Sequence, residues 1–475
     1  MVNAGRRNST DNATAMEKPN LEDDRFSNTR VVVMGLGRFG GGVGLTRWLV
    51  ESGANVVVSD PADRETLSDS LAKLNNLMDT GRLEIVHGPH EPTLLDEAQM
   101  LVVNPAVPMP WTSPFILEAQ SRGITITTEI EIAYHYFDPT RIVAVTGSAG
   151  KSTTSAMIHH ILSSIGVQSV LGGNIGGSLL IRLDKIDNKS IVVLELSSAM
   201  LYWLWGRGLN EKLLIAPAVG CITNCSPNHL DWHADESHYK ASKQQLLQSM
   251  DETGTAILGE SLRDWSAMTK ARVEIIEEAD EISGCHIPGI HNARNAAMAV
   301  RAAAAITGGS EDSISEMEHA VRSFPGLPHR LFRCHEHDGV VYFNDSKSTL
   351  PQATCLAVDA LGEQVPKGAI HLIAGGYDKG LDLSPIAALA DQLAGLYCIG
   401  NTGPGISHRA GEQATNCTTL EKAIECIHAR VKPGDAVLLS PGCASWDQFT
   451  NYEARGDHFE QLVKAHTRST PCSSN

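Results

Sequence analysis

Residues 141–153 read RIVAVTGSAGKST, and this stretch decides the fold. Arg141–Val145 is a β-branched run that predicts a buried strand. It enters Thr146-Gly147-Ser148-Ala149-Gly150-Lys151-Ser152-Thr153, after which Met157, Ile158, Ile161, Leu162 and Ile165 share one face at helical spacing. Strand, glycine turn and helix in that order form a shortened P-loop. Its glycines let backbone N–H groups approach phosphate oxygens, and the helix start adds positive potential. Lys151 would reach the terminal phosphates, and the Ser152 hydroxyl would sit on Mg²⁺. An ordinary glycine turn before a helix is the plain alternative; Lys-Ser in this context favours phosphate.

Toward the N-terminus, Arg30–Met34 predicts a strand, Leu45–Ser52 a helix and Asn55–Ser59 a second strand ending at Asp60, a βαβ unit that Leu101–Val103 extends. Between the first strand and the helix lies Gly35-Leu36-Gly37-Arg38-Phe39-Gly40. Taken alone, this GxGxxG with a following acid suggests NAD; the same geometry also binds any diphosphate, with Asp60 reaching a ribose or base. Toward the C-terminus, Ile191–Leu194 predicts a strand ending at Glu195, and His291–Ile306 an alanine-rich helix. The pattern resets at Gly339. Val340–Phe343 ends in NDSK, Ala369–Ala374 in GGYDKG and Ala436–Leu439 in SPGCAS, with Leu396–Ile399 between them. Strands alternating with helices predict parallel sheets covered on both faces, with ligands beyond the strands' carboxyl ends.

Single polar residues carry less. Glu195 suits an oxygen ligand of Mg²⁺ or a helix cap. His229 and Asp231 in NHLDWH offer a metal ligand and a polar contact, although a lone histidine is more often structural. Lys243 in YKASK reads as a surface lysine. Cys221, Cys225, His229 and His233 are too tightly spaced to fold around a structural zinc.

The chain has 475 residues, enough for several domains, and 42% hydrophobic residues, enough for several cores. A formal charge of −17 argues against a nucleic-acid partner but not against nucleotides. Ten scattered cysteines suit reduced thiols in a cytoplasmic enzyme. Residues 1–28 and 467–475 read as polar tails without a signal peptide. The longest apolar stretch, Leu213–Cys225, is broken by Pro217 and Gly220 and is too short to span a bilayer, so we expect no membrane insertion.

In order, the segments SAGKST, GGNIG (Gly172–Gly176), LELSS (Leu194–Ser198), NHLD, YKASK, HNARN, GLPHR (Gly326–Arg330), NDSKST and LLSPGCASWDQFTNYEARGDHF resemble the Mur ligases. GLPHR, DSK-x-T and SP-x-CAS-x-DQF resemble the D-glutamate-adding branch. The resemblance implies an α/β protein of three domains. They are a Rossmann-like UDP-substrate domain over residues 29–130, a P-loop mononucleotide-binding domain over 131–327, and a Rossmann-like amino-acid domain over 328–475. It implies ATP-dependent amide-bond formation between UDP-N-acetylmuramoyl-L-alanine and D-glutamate through an acyl phosphate, with two Mg²⁺ ions, in the cytoplasm. We expect a monomer.

The resemblance also assigns roles. Lys151, Glu195, His229, Lys243 and Lys347 would be catalytic. Gly147, Ser148, Gly150, Lys151, Ser152 and Thr153 would hold ATP phosphates, with Asn292, Asn295, His329 and Arg330 on adenine and phosphate and Asp345 on ribose. Ser152, Glu195, His229 and a carbamylated Lys243 would hold Mg²⁺. Gly37, Arg38, Asp60, Asn174, Ser197 and His229 would bind the UDP-muramyl substrate, and Lys347, Thr349, Lys379, Ser445 and Tyr452 D-glutamate. The chain departs from the family pattern at Ala149, Leu350 and Tyr452, and its stretch from Lys243 to His291 is shorter. Three rivals stand beside this reading. They are a ligase for another amino acid, an NAD-dependent oxidoreductase built on GLGRFG, and a nucleotide-binding regulator without catalysis.

Overall fold

A computed structural model describes residues 26–37, 40–206 and 215–468. The expected N-terminal tail up to residue 25, Arg38, part of the apolar stretch at 213–214 and the tail from 469 onward lie outside the described residues. Three sheets follow one another along the chain.

The first comprises β1 (Arg30–Met34), β2 (Asn55–Asp60), β3 (Leu83–His87), β4 (Met100–Val103) and β5 (Thr125–Thr127), in the order β3-β2-β1-β4-β5. All its pairings are parallel. The turn after β1 leads into the helix Gly41–Glu51, and Phe26, expected in the polar tail, is buried edge-on against Trp48 of that helix.

The second comprises β6 (Ile142–Thr146), β7 (Ser169–Gly173), β8 (Ile191–Glu195), β9 (Val219–Ile222), β10 (Thr255–Gly259) and β11 (Arg272–Ile276), in the order β11-β10-β9-β6-β8-β7. The short stretch between Lys243 and His291 therefore still supplies two strands, β10 and β11. The helix Lys151–Ser164 follows β6, and its Met157, Ile158, Ile161 and Leu162 are wholly buried, as their spacing predicts.

The third comprises β12 (Phe332–His337), β13 (Val340–Asn344), β14 (Ile370–Gly375), β15 (Gly395–Ile399), β16 (Ala414–Thr418) and β17 (Ala436–Leu439), in the order β12-β13-β17-β14-β15-β16. Successive side chains of a strand face opposite ways. Ala436 and Leu438 of β17 accordingly enter one apolar core with Ile370, Leu372 and Ala374, while Val437 and Leu439 enter another with Ile373 and Phe459. In the third sheet parallel pairing fails at one edge, where β12 runs antiparallel to β13. The cause is a two-residue turn, Asp338-Gly339, with both residues at positive φ, which reverses the chain directly.

By internal packing the chain divides into two compact units, Met1–Ala149 with Gly166–Glu274, and Gly150–Ile165 with Ile275–Asn475. No helix among the described residues is long and apolar enough to cross a membrane.

Candidate functional site

The turn after β6 is braced by its neighbours. Gly147 lies so close to β9 that a Cβ there would collide with Thr223 Oγ1, and its φ of 150° is one that L side chains rarely adopt. The Ser148 amide donates to Asn224 O at 3.0 Å, and the Ser148 hydroxyl lies 2.7 Å from Tyr239 Oη. Around Ala149, Asn224 closes both sides of the peptide: its Oδ1 accepts from the Ala149 amide at 3.0 Å and its Nδ2 donates to Ala149 O at 3.1 Å. The Asn224 side chain thus fixes the peptide at Ala149. In the second unit, Gly150 sits at φ 82° as N-cap, with no side-chain cap, and Lys151, Ser152 and Thr153 form the first turn of the helix. Uncapped N–H groups at a helix start suit a phosphate.

Register places Glu195 opposite Val145, so the carboxyl end of β8 lies beside that of β6. Asn174 Nδ2 donates to Glu195 Oε1 at 3.1 Å. Glu195 Oε2 is buried and has no hydrogen-bond partner among the described residues. Such an oxygen fits a cation, because burial without a donor otherwise costs free energy. Among the described residues no three His, Cys, Asp or Glu side chains gather at metal-holding distance. Mg²⁺ fits a sparse donor set, since it commonly takes one or two protein oxygens and completes its shell with phosphate and water.

Lys243, which reads as a surface lysine, is 1% exposed. Its Nζ donates to Gly147 O at 2.9 Å and Thr146 Oγ1 at 3.3 Å, and lies 4.8 Å from the centre of the Tyr239 ring. His229 and Asp231 are exposed, His229 at φ 53° as the N-cap of the turn Leu230–His233. Ser197 caps the helix Ser198–Leu201, accepting from the Met200 amide at 3.2 Å.

In the first sheet Asp60 braces the glycine turn rather than pointing away from it. Its Oδ2 accepts from the amides of Leu36 and Gly37 at 2.8 and 3.1 Å, and its Oδ1 from Ala62. Asn104, after β4, lies against Gly35 and Gly37 at the point where the strand order reverses. The motif reading missed Asn104; its position at a switch strand's end was the available signal.

In the second unit Asn295 lies against Gly150, and Asn292 donates to Pro288 O at 2.6 Å. His329, at φ 63°, meets Asn344 Nδ2 at 3.0 Å, and its backbone carbonyl accepts from the Lys347 amide. Arg330 is exposed. Asp345 is fully engaged, Oδ1 by the Leu331 amide at 3.0 Å and Oδ2 by the Ser440 hydroxyl at 2.7 Å; burial pushes its carboxyl up to about 6. Lys347 Nζ lies 5.1 Å from the centre of the Tyr452 ring, and Lys379 Nζ 4.8 Å from that of Trp446. Burial raises the Tyr452 phenol to about 12. Ser445 is buried, Thr349 half-buried and Leu350 exposed.

The last histidine of NHLDWH belongs to a cluster that the motif did not announce. His233 is buried, with Nε2 2.8 Å from Ser198 Oγ and Nδ1 2.8 Å from His238 Nδ1. Burial, then the field of His238, holds its imidazole down at about 4. His238 packs against Trp111 with the rings tilted by 50°, and Trp111 also meets Tyr202 and Trp232. The three aromatics are distant in sequence, so spacing gave no sign of the cluster.

Three family descriptions match the chain in succession: the Mur ligase MurD-like N-terminal domain at residues 29–128, the Mur ligase middle domain at 145–281, and the Mur ligase glutamate ligase domain at 329–443. The UDP-N-acetylmuramoylalanine–D-glutamate ligase of Zymomonas mobilis is 33% identical over 462 residues, covering 93% of this chain and 98% of its own. Its counterpart from Pelotomaculum thermopropionicum is 32% identical over 474 residues, covering 92% and 98%. Among solved structures, UDP-N-acetylmuramate–alanine ligase MurC from Thermotoga maritima superposes with TM-score 0.54 at 16% identity, over 92% of this chain and 100% of that one. MurF ligase from Thermotoga maritima, solved with ADP, gives 0.53 at 16% identity, over 94% and 97%. At such identities these structures speak for the fold alone.

Proposed function

The chain belongs to the Mur ligase family, and from that premise we infer that it is the ATP-dependent ligase joining D-glutamate to UDP-N-acetylmuramoyl-L-alanine in peptidoglycan precursor synthesis. The observation that carries the reading is the pairing at the ends of β6 and β8: a braced phosphate turn beside a buried carboxylate oxygen without a partner. An oxidoreductase built on GLGRFG leaves that pairing unexplained.

The chemistry follows from these parts. A carboxylate is a poor acyl donor because its oxygen leaves badly. Its attack on the ATP γ-phosphorus releases ADP and gives an acyl phosphate; attack by the D-glutamate amine gives a tetrahedral intermediate that expels phosphate and forms the amide. The turn Gly147–Thr153 holds the phosphates, and Lys151 spreads their charge. Mg²⁺, held by Glu195 with Ser152 and His229, would neutralise phosphate charge when bound. Buried Lys243 holds Gly147 O and fixes the turn; as a carbamate it would join the Mg²⁺ ligands, with a second ion. Asn292, Asn295, His329 and Arg330 would hold the nucleotide, and Asp345 would shape the ribose side by anchoring Leu331. Gly37, Arg38, Asp60, Asn174 and Ser197 would place the UDP-muramyl substrate, Asp60 by fixing the glycine turn. Lys347, Thr349, Lys379, Ser445 and Tyr452 would hold the D-glutamate dianion. We assign residues 29–130 to the UDP-muramyl substrate, 131–327 to ATP and 328–475 to the amino acid, and place the enzyme in the cytoplasm as a monomer.

The test is ATP-dependent phosphate release with UDP-N-acetylmuramoyl-L-alanine and Mg²⁺, with D-glutamate, L-glutamate, D-aspartate and meso-diaminopimelate in parallel. Release with D-glutamate alone, and the amide seen by mass, is expected. Turnover with another amino acid moves the specificity onto Leu350 and Tyr452; no turnover despite ATP binding overturns the reading.

A further inference from the structure

Arg455 is 1% exposed, yet the assignment of roles leaves it without one. It lies in the first turn of the helix Tyr452–Arg468. Its Nε donates to Ser346 Oγ at 3.0 Å and its Nη2 to Ser346 O at 2.8 Å. Its Nη1 donates to Cys443 O at 3.1 Å and to Ala444 O at 3.2 Å. Ser346 Oγ in turn donates to Tyr452 O at 2.8 Å. Ala444 O also accepts from the Tyr377 amide at 2.9 Å. Gly376 passes so close that a Cβ there would collide with Ala444 O and lie 3.2 Å from Arg455 Nη1.

One guanidinium thus ties together the loops after β13 and β17 and the start of the last helix, with the loop after β14 laid against it. Those segments carry Lys347 and Thr349, Ser445, Tyr452, and Lys379. None of its hydrogen bonds goes to a carboxylate; every one ends on a carbonyl or hydroxyl of a loop. A surface arginine has no such constraint, and a fold staple would need only one of these partners.

We propose that Arg455 is a positioning residue for the amino-acid substrate, a buried cationic clamp that fixes the loops presenting Lys347, Ser445 and Tyr452 to an amino-acid dianion. The proposal rests on the assignment of those residues to the D-glutamate site. A planar guanidinium holds five donors in a fixed fork and here meets four acceptors, one more than the three donors of an ammonium could serve. Burial lowers it only to about 10, so it stays cationic at neutral pH and adds attraction for the two carboxylates. Of the residues assigned to ATP only Asp345 lies in a clamped loop, and the Leu331 amide and Ser440 hydroxyl hold it independently, so the larger effect should fall on the amino-acid substrate.

The experiment compares the parent with Arg455→Lys, Arg455→Met and Ser346→Ala, measuring KM for each substrate, kcat and melting temperature. With the lysine and methionine variants, KM for D-glutamate should rise about tenfold or more, while KM for ATP and for the UDP-muramyl substrate stays within about twofold. ADP formed in a single turnover without D-glutamate should be unchanged. An unaltered KM for D-glutamate, or equal rises in all three KM values, overturns the proposal. If the Arg455 variants fail to fold, Ser346→Ala decides: it removes the Nε acceptor and the link to Tyr452, and a rise of about threefold in KM for D-glutamate alone is expected. No rise refutes the clamp. A parent that uses another amino acid overturns the D-glutamate reading but leaves this proposal to be read on that amino acid's KM.

Discussion

Burying a carboxylate oxygen away from any donor costs free energy that a cation returns, and Glu195 Oε2 is buried in this way beside the phosphate turn. Glu195→Gln keeps the size and the Asn174 neighbour but removes the charge. The Mg²⁺ concentration for half-maximal rate should then rise about tenfold or more, read by titrating Mg²⁺ after chelation. An unchanged Mg²⁺ requirement would take Glu195 out of the metal site. His233 gives a second residue-scale prediction. Its neighbours include Ser198, Trp232, His238, Tyr239, Lys243, His229 and Asp231, and burial holds the ring at about 4 against an ordinary 6.5. The unfolded chain takes up the proton as pH falls through 6.5, the folded chain only near 4, so stability present above 6.5 is lost between those values. His233→Asn should lower the melting temperature at pH 7.5 and flatten its fall from pH 6.5 to 4. A parallel fall in parent and variant would assign the acid sensitivity elsewhere. At this scale the sequence exposed the residues inside motifs, Lys151 and Glu195 among them. It misjudged Lys243, because a lysine's burial depends on the turn that folds over it, and it was silent on Arg455, whose partners lie at 346 and 443–444.

At the scale of elements, β-branched runs exposed β1, β2, β6, β8 and the strands that end in polar motifs, since a strand buried on both faces has few alternatives. Strands such as β3 and β16 escaped, because edge strands carry polar residues: β16 reads ATNCT and β3 LEIVH. The Asp338-Gly339 turn was written in the sequence and marks the hairpin that breaks the parallel pattern. The phosphate turn is the element most exposed to test. A Cβ at Gly147 meets Thr223 Oγ1 at a backbone angle of 150°, so Gly147→Ala must distort the turn or displace β9's loop. Strain of about 2 kcal/mol is expected, or roughly 30-fold weaker ATP binding, measurable by calorimetry. Binding within twofold of the parent would mean that the turn is not the phosphate site.

For the whole molecule, three sheets each present their polar motifs at the carboxyl ends of strands, and the division between its two compact units falls inside the phosphate turn, between Ala149 and Gly150. The fold was legible because each sheet repeats the same strand–turn–helix grammar, with the chemistry in the turns. The reaction makes a separable demand on it. On the proposed assignment, the muramyl substrate and ATP suffice for acyl phosphate formation, whereas amide formation would also need the segments that carry Lys347, Ser445 and Tyr452. Mixing the enzyme with ATP, Mg²⁺ and UDP-N-acetylmuramoyl-L-alanine, without an amino acid, should therefore give a burst of no more than about one ADP per chain and then a rate set by escape of the acyl phosphate. Adding D-glutamate should restore steady release of phosphate, with amide formed in equal amount. The Lys347→Met variant should keep the burst and lose most of the steady rate, by about 100-fold, because a dianion then meets one cation fewer where charge must be neutralised. A burst lost together with the steady rate would place Lys347 on ATP instead, and the third sheet would serve the nucleotide rather than the amino acid.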